Sequence, residues 1–156
     1  VPYSNVKTNA DEINIQATKR LAAFCKEHKK KFVFLSSFSA HENALSHYGK
    51  HKFLLEKELS SDHLVIKPGL VIGKSGLFSR IENEIKSKKF IPVLDNGLQP
   101  FQIIHVDDLL RIIEKSILKE LKGVFPVASQ KVYTFLELNE LIAKQNHKSP
   151  FFVFKS

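Results

Sequence analysis

The chain contains the run Phe32-Val33-Phe34-Leu35-Ser36-Ser37, in which four consecutive apolar residues are followed by two serines. A strand that is apolar on both faces is typical of the interior of a parallel sheet. A helical segment over residues 46 to 60 comes next, and the run His63-Leu64-Val65-Ile66-Lys67 then predicts a second strand, which Pro68-Gly69 ends. This stretch therefore predicts a strand-helix-strand unit.

Helices and strands alternate along the rest of the chain as well. Helical spacing of Ile13, Ala17, Leu21 and Phe24 predicts an apolar stripe on a helix from Thr8 or Asn9 to about His28. The later patterns predict, in chain order, a helix over 76–88, a strand over 91–94 with an Asn96-Gly97 hairpin turn, a strand over 102–105, a helix over 107–118, a strand over 123–127 and a helix over 134–145. This alternation predicts an α/β fold with a mostly parallel sheet.

Tyr48 and Lys52 are the candidate catalytic pair, because residues four apart meet on one face of a helix. Ser46 is positioned to cap that helix at its start. A phenol has a pKa of about 10, and a neighbouring ammonium favours the phenolate, which brings the group toward neutral acid-base chemistry. The stripe continues through Leu55 and Leu59, an uncommon setting for a lysine. The spacing predicts a proton-transfer site.

Composition limits the class of protein. The 156 residues are 43% apolar, enough for a real core in one domain. The net charge is +8, but only three of the 24 basic residues are arginine, so a basic nucleic-acid-binding domain stays open as an alternative and is not favoured. The densest basic run, Lys26 with Lys29–Lys31, falls at a predicted helix end, where cations complement the helix dipole.

Other features favour structural roles. The polar N-terminus and the lack of a membrane-length apolar run predict a cytoplasmic protein. Cys25, the only cysteine, is expected to be a small buried thiol. His47 and His51 are four apart, but no further ligand lies at metal-binding spacing, so no metal is expected. Asp107 and Asp108 are predicted to cap a helix.

Five segments in the same order resemble the short-chain dehydrogenase/reductase superfamily, specifically its extended and atypical sugar-nucleotide epimerase-like branch. The segments are Ile13-Asn14-Ile15-Gln16-Ala17-Thr18, Phe32 to Ser37, Tyr48 to Lys52, Val65-Ile66-Lys67-Pro68-Gly69-Leu70-Val71-Ile72-Gly73 and Ile104-His105-Val106-Asp107-Asp108-Leu109. The resemblance implies the C-terminal portion of a Rossmann-type doubly wound parallel sheet with a small substrate-binding portion. Residues 1–72 would complete the dinucleotide-binding sheet, and residues 73–156 would supply substrate-side elements and the remaining strands, within one partial domain.

The resemblance also implies site residues. Tyr48 would be the acid-base residue, Lys52 would lower its pKa and hold the nicotinamide ribose, and Ser37 would hydrogen-bond the reacting substrate oxygen. The backbone of Pro68, Gly69 and Val71 would approach the nicotinamide, and Phe78 and Arg80 would line the substrate pocket. The implied cofactor is NAD or NADP, and the implied partners are a small-molecule substrate and a second copy of the chain, through the helices over 9–28 and 46–60.

Three departures leave alternatives open. Only ten residues separate Ser37 from Tyr48, as in the atypical branch related to an accessory subunit of respiratory complex I, and Lys67 replaces an arginine. The glycine-rich dinucleotide-binding turn and an initiating methionine are absent, so we expect further residues upstream. The leading expectation is an oxidoreductase or epimerase acting on a nucleotide sugar or similar metabolite. The alternative is a non-catalytic NADP(H)-binding protein that acts in assembly or redox sensing.

Overall fold

The computed structural model of the chain describes residues 9–155, which divide into two compact units. The first unit comprises the described residues up to Pro68 together with Leu109–Val127, and the second comprises Gly69–Asp108 together with the residues from Ala128 onward. The elements in chain order are α1 (Asn9–Glu27), β1 (Val33–Leu35), α2 (His47–Leu59), β2 (Leu64–Pro68), β3 (Leu70–Ile72), α3 (Gly76–Ser87), β4 (Phe90–Leu94), β5 (Pro100–His105), α4 (Val106–Leu118), β6 (Gly123–Val127), β7 (Val132–Thr134), α5 (Phe135–Gln145) and β8 (Phe151–Lys155).

The first unit is built on a parallel sheet in the order β1-β2-β6. Val33 is in register with Leu64, and Leu64 with Gly123, so all three strands begin at one edge. The predicted strand-helix-strand unit is thereby confirmed, with α2 as the crossover between β1 and β2. Its core joins α1 and α2 to the sheet through Ala22, Phe34, Leu55, Leu59 and Val65.

The apolar stripe predicted for α1 is not the face that this helix buries. Ala22 is the buried residue and Ile15 packs against the core, whereas Ile13, Leu21 and Phe24 are each more than half exposed. The helix itself was predicted correctly. Apolar spacing cannot distinguish the core face when residues on two faces are apolar, and only packing against α2 selects one.

The second unit contains a mixed sheet and a separate pair of strands. In the mixed sheet β5 pairs in parallel with β3 and antiparallel with β7, while β4 and β8 pair in parallel. Helices α3 and α5 pack around a core of Ile85, Ile91, Leu138, Ile142 and Ala143. The fold is thus α/β with parallel strands, as predicted, although the sequence patterns did not identify the strands β3, β7 and β8.

The predicted hairpin at Asn96-Gly97 is wrong. Both residues have positive φ, 52° and 69°, so the chain does turn there. Strand β4 nevertheless pairs with β8 and not with β5, the strand that follows the turn. A Cβ at Gly97 would lie 2.8 Å from atoms of Leu136 and Val93, so close packing requires glycine at this position.

The starts of α4 and α5 and the burial of Cys25 agree only in part with the sequence predictions. Thr134 and Glu137 form a reciprocal capping box at α5, close to the predicted start. Asp107 and Asp108 lie within the first turn of α4, after its first residue Val106 and not at the N-cap position predicted for them, while Nδ1 of His105 accepts the Asp107 backbone N–H at 3.3 Å. Carboxylates in a first turn still complement the dipole. Cys25 is half-buried, not fully buried as predicted.

None of the helices within residues 9–155 has the length and apolar character needed to cross a membrane. Over the same residues, no group of three or more His, Cys, Asp and Glu side chains is arranged to hold a metal ion.

Candidate functional site

Helix α2 begins in a tightly defined geometry, which fixes the position of Tyr48. The Ser46 hydroxyl accepts the Gly49 backbone N–H at 3.1 Å, as the sequence predicted for an N-cap. Gly49 is buried against the preceding loop, where a Cβ would overlap the Ser39 carbonyl oxygen and approach Ala44 Cβ to 2.9 Å. The first turn of α2 therefore packs directly on the loop that follows β1.

Lys52 brings its ammonium group to the carboxyl end of β1. Its Nζ donates a hydrogen bond to the Leu35 carbonyl oxygen at 2.6 Å and lies 4.4 Å from the centre of the Phe34 ring. The same nitrogen is 5.7 Å from the centre of the Tyr48 ring, and Tyr48 is 40% exposed. The structure thus places the charge of Lys52 beside the aromatic ring of Tyr48.

The partial burial of Lys52 disfavours the charged form of its side chain. Burial lowers the pKa of Lys52 below the ordinary value for lysine, and the carboxylate of Glu56, one turn along the helix, partly opposes this shift. An ammonium with few water molecules around it interacts more strongly with nearby groups than a fully solvated one. The arrangement can therefore stabilise negative charge on a phenol or a ligand hydroxyl at this edge of the sheet.

Ser37 lies just beyond the end of β1, as the sequence predicted. Its Oγ is 2.9 Å from the Ser39 Oγ and accepts the Ser39 backbone N–H at 3.3 Å, which forms a local serine turn. The side chain is half-buried at the strand end, where ligands bind in open α/β sheets.

A buried polar cluster lies beneath these residues. The Ser36 hydroxyl donates to Oε1 of Glu56, and Lys67 Nζ lies 3.2 Å from Oε2 of the same carboxylate. Lys67 Nζ also donates to the Ala40 carbonyl oxygen. Glu56 is only 4% exposed, so a single carboxylate ties α2 to the ends of β1 and β2.

Ser36 and Glu56 were not predicted from the sequence to be members of the site. The available signal was the continued spacing Tyr48, Lys52, Glu56, which places a carboxylate on the same apolar stripe as the candidate lysine. From the sequence, Lys67 was noted as a positive charge in place of an arginine, but its partner Glu56 was not predicted. The two residues lie on β2 and α2, which meet only in the tertiary structure.

The other candidate residues have diverse settings. Pro68 is buried at the end of β2, in register with Val127. In the second unit, a Cβ at Gly69 would overlap the Gln102 carbonyl oxygen, and Val71 pairs with Ile104 in the centre of β3. The close backbone approach at Gly69 accounts for a glycine there.

Phe78 and Arg80, the substrate-side candidates, both lie on α3. Phe78 packs against the core of the second unit and contributes to a groove of about 540 Å³, which Ile72 and Tyr133 also line. Arg80 is exposed.

Comparison with curated proteins finds a relative by sequence. The chain is 29% identical over 137 residues to "NADH dehydrogenase [ubiquinone] 1 alpha subcomplex subunit 9, mitochondrial" of Dictyostelium discoideum. The match covers 85% of this chain but only 36% of that protein. No family model matches the chain.

Comparison with solved structures identifies the fold. The chain resembles dTDP-4-dehydrorhamnose reductase from Bacillus anthracis in complex with NADP, with a TM-score of 0.78 and 18% identity, over 92% of this chain and 57% of that one. It also resembles UDP-N-acetylglucosamine 4-epimerase from Methanobrevibacter ruminantium, with a TM-score of 0.75 and 20% identity, over 92% and 56% respectively.

This chain therefore spans little more than half the length of those enzymes, and just over a third of the Dictyostelium relative. The fold predicted from the sequence is confirmed. The chain has the Rossmann-type α/β fold of a portion of these reductases and epimerases and of dTDP-glucose 4,6-dehydratases.

Proposed function

We propose that the chain binds the nicotinamide end of NAD(P)(H) at the carboxyl edge of its first sheet, through Tyr48 and Lys52. The observation that carries the proposal is the Lys52 ammonium, which is held at the Leu35 carbonyl beside the Tyr48 ring, with a lowered pKa. An ammonium in this place can donate to ribose hydroxyls, and a carboxyl strand edge is where such folds take nucleotides. Pro68, Gly69 and Val71 would complete the nicotinamide side.

The proposal is tested by calorimetric titration of the full-length protein with NADPH and NADH. Lys52→Met should weaken binding at least about tenfold, because it removes a partly desolvated donor. Lys50→Met alters an exposed lysine of the same helix and is the matched control. Equal dinucleotide affinity for Lys52→Met and the wild type would contradict the proposal.

Two uses of the bound cofactor follow, and we favour a structural or sensing role in a respiratory NADH dehydrogenase. The support is the Dictyostelium relative, whose name places it in that assembly and in the mitochondrion. The ten-residue spacing between Ser37 and Tyr48, typical of the atypical branch, supports the same choice. A cofactor held without turnover would report the NADPH level or lock the fold of an accessory subunit.

Native electrophoresis of membranes from the source cells tests this role. The full-length protein should migrate with the NADH dehydrogenase assembly, and Lys52→Met should lower the amount of assembled complex. Recovery of the protein only in soluble cytoplasmic fractions would refute the role in the NADH dehydrogenase. It would not contradict the proposed dinucleotide binding.

The second use is catalysis on a hydroxyl or carbonyl of a nucleotide sugar or similar small molecule. Hydride would pass between the substrate carbon and the nicotinamide, Tyr48 would exchange the proton, and Ser37 would hydrogen-bond the reacting oxygen, with Phe78 and Arg80 toward the substrate. The fold of the reductases and epimerases supports this use. Incubating the full-length protein with UDP- and dTDP-sugars and NADPH tests it, because Tyr48→Phe should abolish any turnover.

A homodimer through α1 and α2 is what the family resemblance of the sequence implies, and we propose it here as well. Ile13, Leu21 and Phe24 on α1 and Leu54 on α2 are each at least half exposed, which supports a covered surface there. Light scattering of the full-length protein should give a dimer that Leu21→Glu converts to monomer, whereas a monomeric wild type would refute it.

A further inference from the structure

A basic groove lies at the edge of the first unit's sheet opposite the candidate cofactor site. It has a volume of about 330 Å³ and is lined by Val33 and Leu64, the first residues of β1 and β2, and by Lys122, which precedes β6. The candidate site lies at the other ends of these strands, beyond Leu35 and Pro68. A ligand in this groove would therefore leave the dinucleotide edge open.

The groove combines an apolar floor with a charged rim. Phe32, Val33, Leu64 and Ile117 form the floor. The rim carries five lysines and two carboxylates, which leaves a net charge of +3 with His63 neutral. An occupant that matches this surface carries both negative charge and an apolar group.

The two carboxylates of the rim engage two of the five lysines. Lys26 Nζ lies 2.7 Å from Oδ2 of Asp62, and Lys31 Nζ lies 3.3 Å from Oε1 of Glu120. Lys31 also donates to the Ile117 carbonyl oxygen at 2.9 Å, at the end of α4. These lysines already bind carboxylates presented by the chain itself.

Lys29, Lys30 and Lys122 differ from Lys26 and Lys31 in the contacts of their ammonium groups. Their ammonium groups make no hydrogen bond or ion pair with any residue that the structure describes. Their backbone is nonetheless held firmly: Lys29 has a φ of 53°, the Lys30 N–H donates to Cys25 O at 2.7 Å, and the neighbouring Gly123 N–H donates to His63 O at 3.1 Å. Three cations without a direct ion pair among the described residues thus project from fixed turns around one apolar floor, and Lys122 attracts the Asp62 carboxylate from a greater distance.

We propose that this groove docks an acidic segment of a partner protein, with aspartate or glutamate side chains on Lys29, Lys30 and Lys122 and an apolar side chain on the floor. Point-like ammonium charges on two separate turns suit several spaced carboxylates. A volume of a few side chains is too small to receive a nucleic-acid duplex. Leu64 is buried and Phe32, Val33 and Ile117 are partly buried, whereas membrane binding needs apolar side chains that protrude.

Zero-length carbodiimide cross-linking tests the proposal, because it joins a lysine amine only to a carboxylate in direct contact. The full-length protein is cross-linked in extracts of its own cells and mapped by mass spectrometry. Lys29, Lys30 or Lys122 should be joined to Asp or Glu within one short segment of another protein. That segment is then synthesised, and its affinity is measured by fluorescence anisotropy.

The charge-reversal variant is Lys29→Glu/Lys30→Glu/Lys122→Glu, and the matched control is Lys74→Glu/Lys144→Glu/Lys148→Glu, which alters three exposed lysines elsewhere. The first should weaken peptide binding at least about tenfold, and the second by less than about threefold. A peptide with Gln and Asn in place of Glu and Asp should not bind, and saturating NADPH should not displace the acidic peptide.

Three results would overturn the proposal. One is that these lysines cross-link only to Asp62 and Glu120 of their own chain. Another is that the amide-substituted peptide binds as well as the acidic one. The third is that a DNA duplex or a phosphatidylserine vesicle binds as tightly as the peptide and loses affinity only in the groove variant, which would assign the groove to another polyanion.

Discussion

The ammonium nitrogen of Lys67 lies 3.2 Å from Oε2 of Glu56, and the two side chains are only 18% and 5% exposed. The same carboxylate accepts the hydroxyl of Ser36. Because Ser36 precedes Ser37, Lys67 precedes Pro68, and Glu56 lies one turn after Lys52, this ion pair ties three segments of the candidate site together. The contribution of this ion pair to the free energy of unfolding can be measured by substitution, independently of any catalytic activity.

Glu56→Gln should destabilise the protein by about 3 kcal/mol, because it leaves the Lys67 charge largely buried without a counter-charge. Urea unfolding measures the difference. The matched control is Glu58→Gln, which removes an exposed partner of Lys19 in the same helix and should cost less than about 1 kcal/mol. Similar losses for both variants would show that the buried pair has no special role.

Gly49→Ala should destabilise the fold by about 1 to 3 kcal/mol through overpacking, since the new Cβ meets the Ser39 carbonyl and Ala44. Because Tyr48 is its neighbour, dinucleotide affinity should fall as well. Lys50→Ala, at an exposed position of the same helix, should change stability by only a few tenths of a kcal/mol. If thermal denaturation gave equal midpoints for the two variants, the tight packing at Gly49 would be refuted.

His63 should give a pH-dependent stability below neutrality. Burial lowers the pKa of His63 below its ordinary value of 6.5. The unfolded chain therefore binds more protons than the folded chain between the folded pKa and 6.5, and stability is lost as the pH falls through that interval. His63→Gln should flatten this part of the profile. His147→Gln, at an exposed histidine, is the matched control in urea titrations between about pH 5 and about pH 7.

Lys52 should make the free energy of unfolding depend on pH in the alkaline range. Burial lowers the pKa of Lys52 below 10.5, so the folded chain releases this proton before the unfolded chain does. The stability cost of burying the Lys52 charge is therefore relieved, and the free energy of unfolding rises, as the pH increases from the folded pKa of Lys52 to 10.5. Over this pH interval, the unfolding free energy of the wild type should increase relative to that of Lys52→Met. The unfolding free energy of Lys50→Met should change with pH as the wild type's does. A constant difference between wild type and Lys52→Met would contradict the assigned burial of the ammonium.

Much of the local structure could be predicted from residue patterns alone. The continuous apolar run over residues 32–35 and the apolar centre of residues 63–67 favour buried strands of that length, and Ser46 carries the hydroxyl that caps α2. The spacing of Tyr48 and Lys52 also determines that both lie on one helix face. These predictions succeeded because each depends on interactions within a few residues.

Long-range pairing decided the rest. Asn96-Gly97 has the dihedral angles of a turn, yet β4 pairs with β8, some sixty residues away in the chain, because the sheet partner is chosen by packing and not by the turn. Likewise Ile13, Leu21 and Phe24 are spaced like a core face, but contact with α2 buries Ala22 and Ile15.

The amino-acid sequence by itself determined the α/β class, the helix that carries Tyr48 and Lys52, and the strand end that carries Ser37, since periodicity and capping are local. Only the tertiary structure decided that Glu56 would join Ser36 to Lys67, and that Lys29, Lys30 and Lys122 would surround one groove. The physical reason is that a buried charge selects its partner from residues brought near by folding, whatever their separation along the chain.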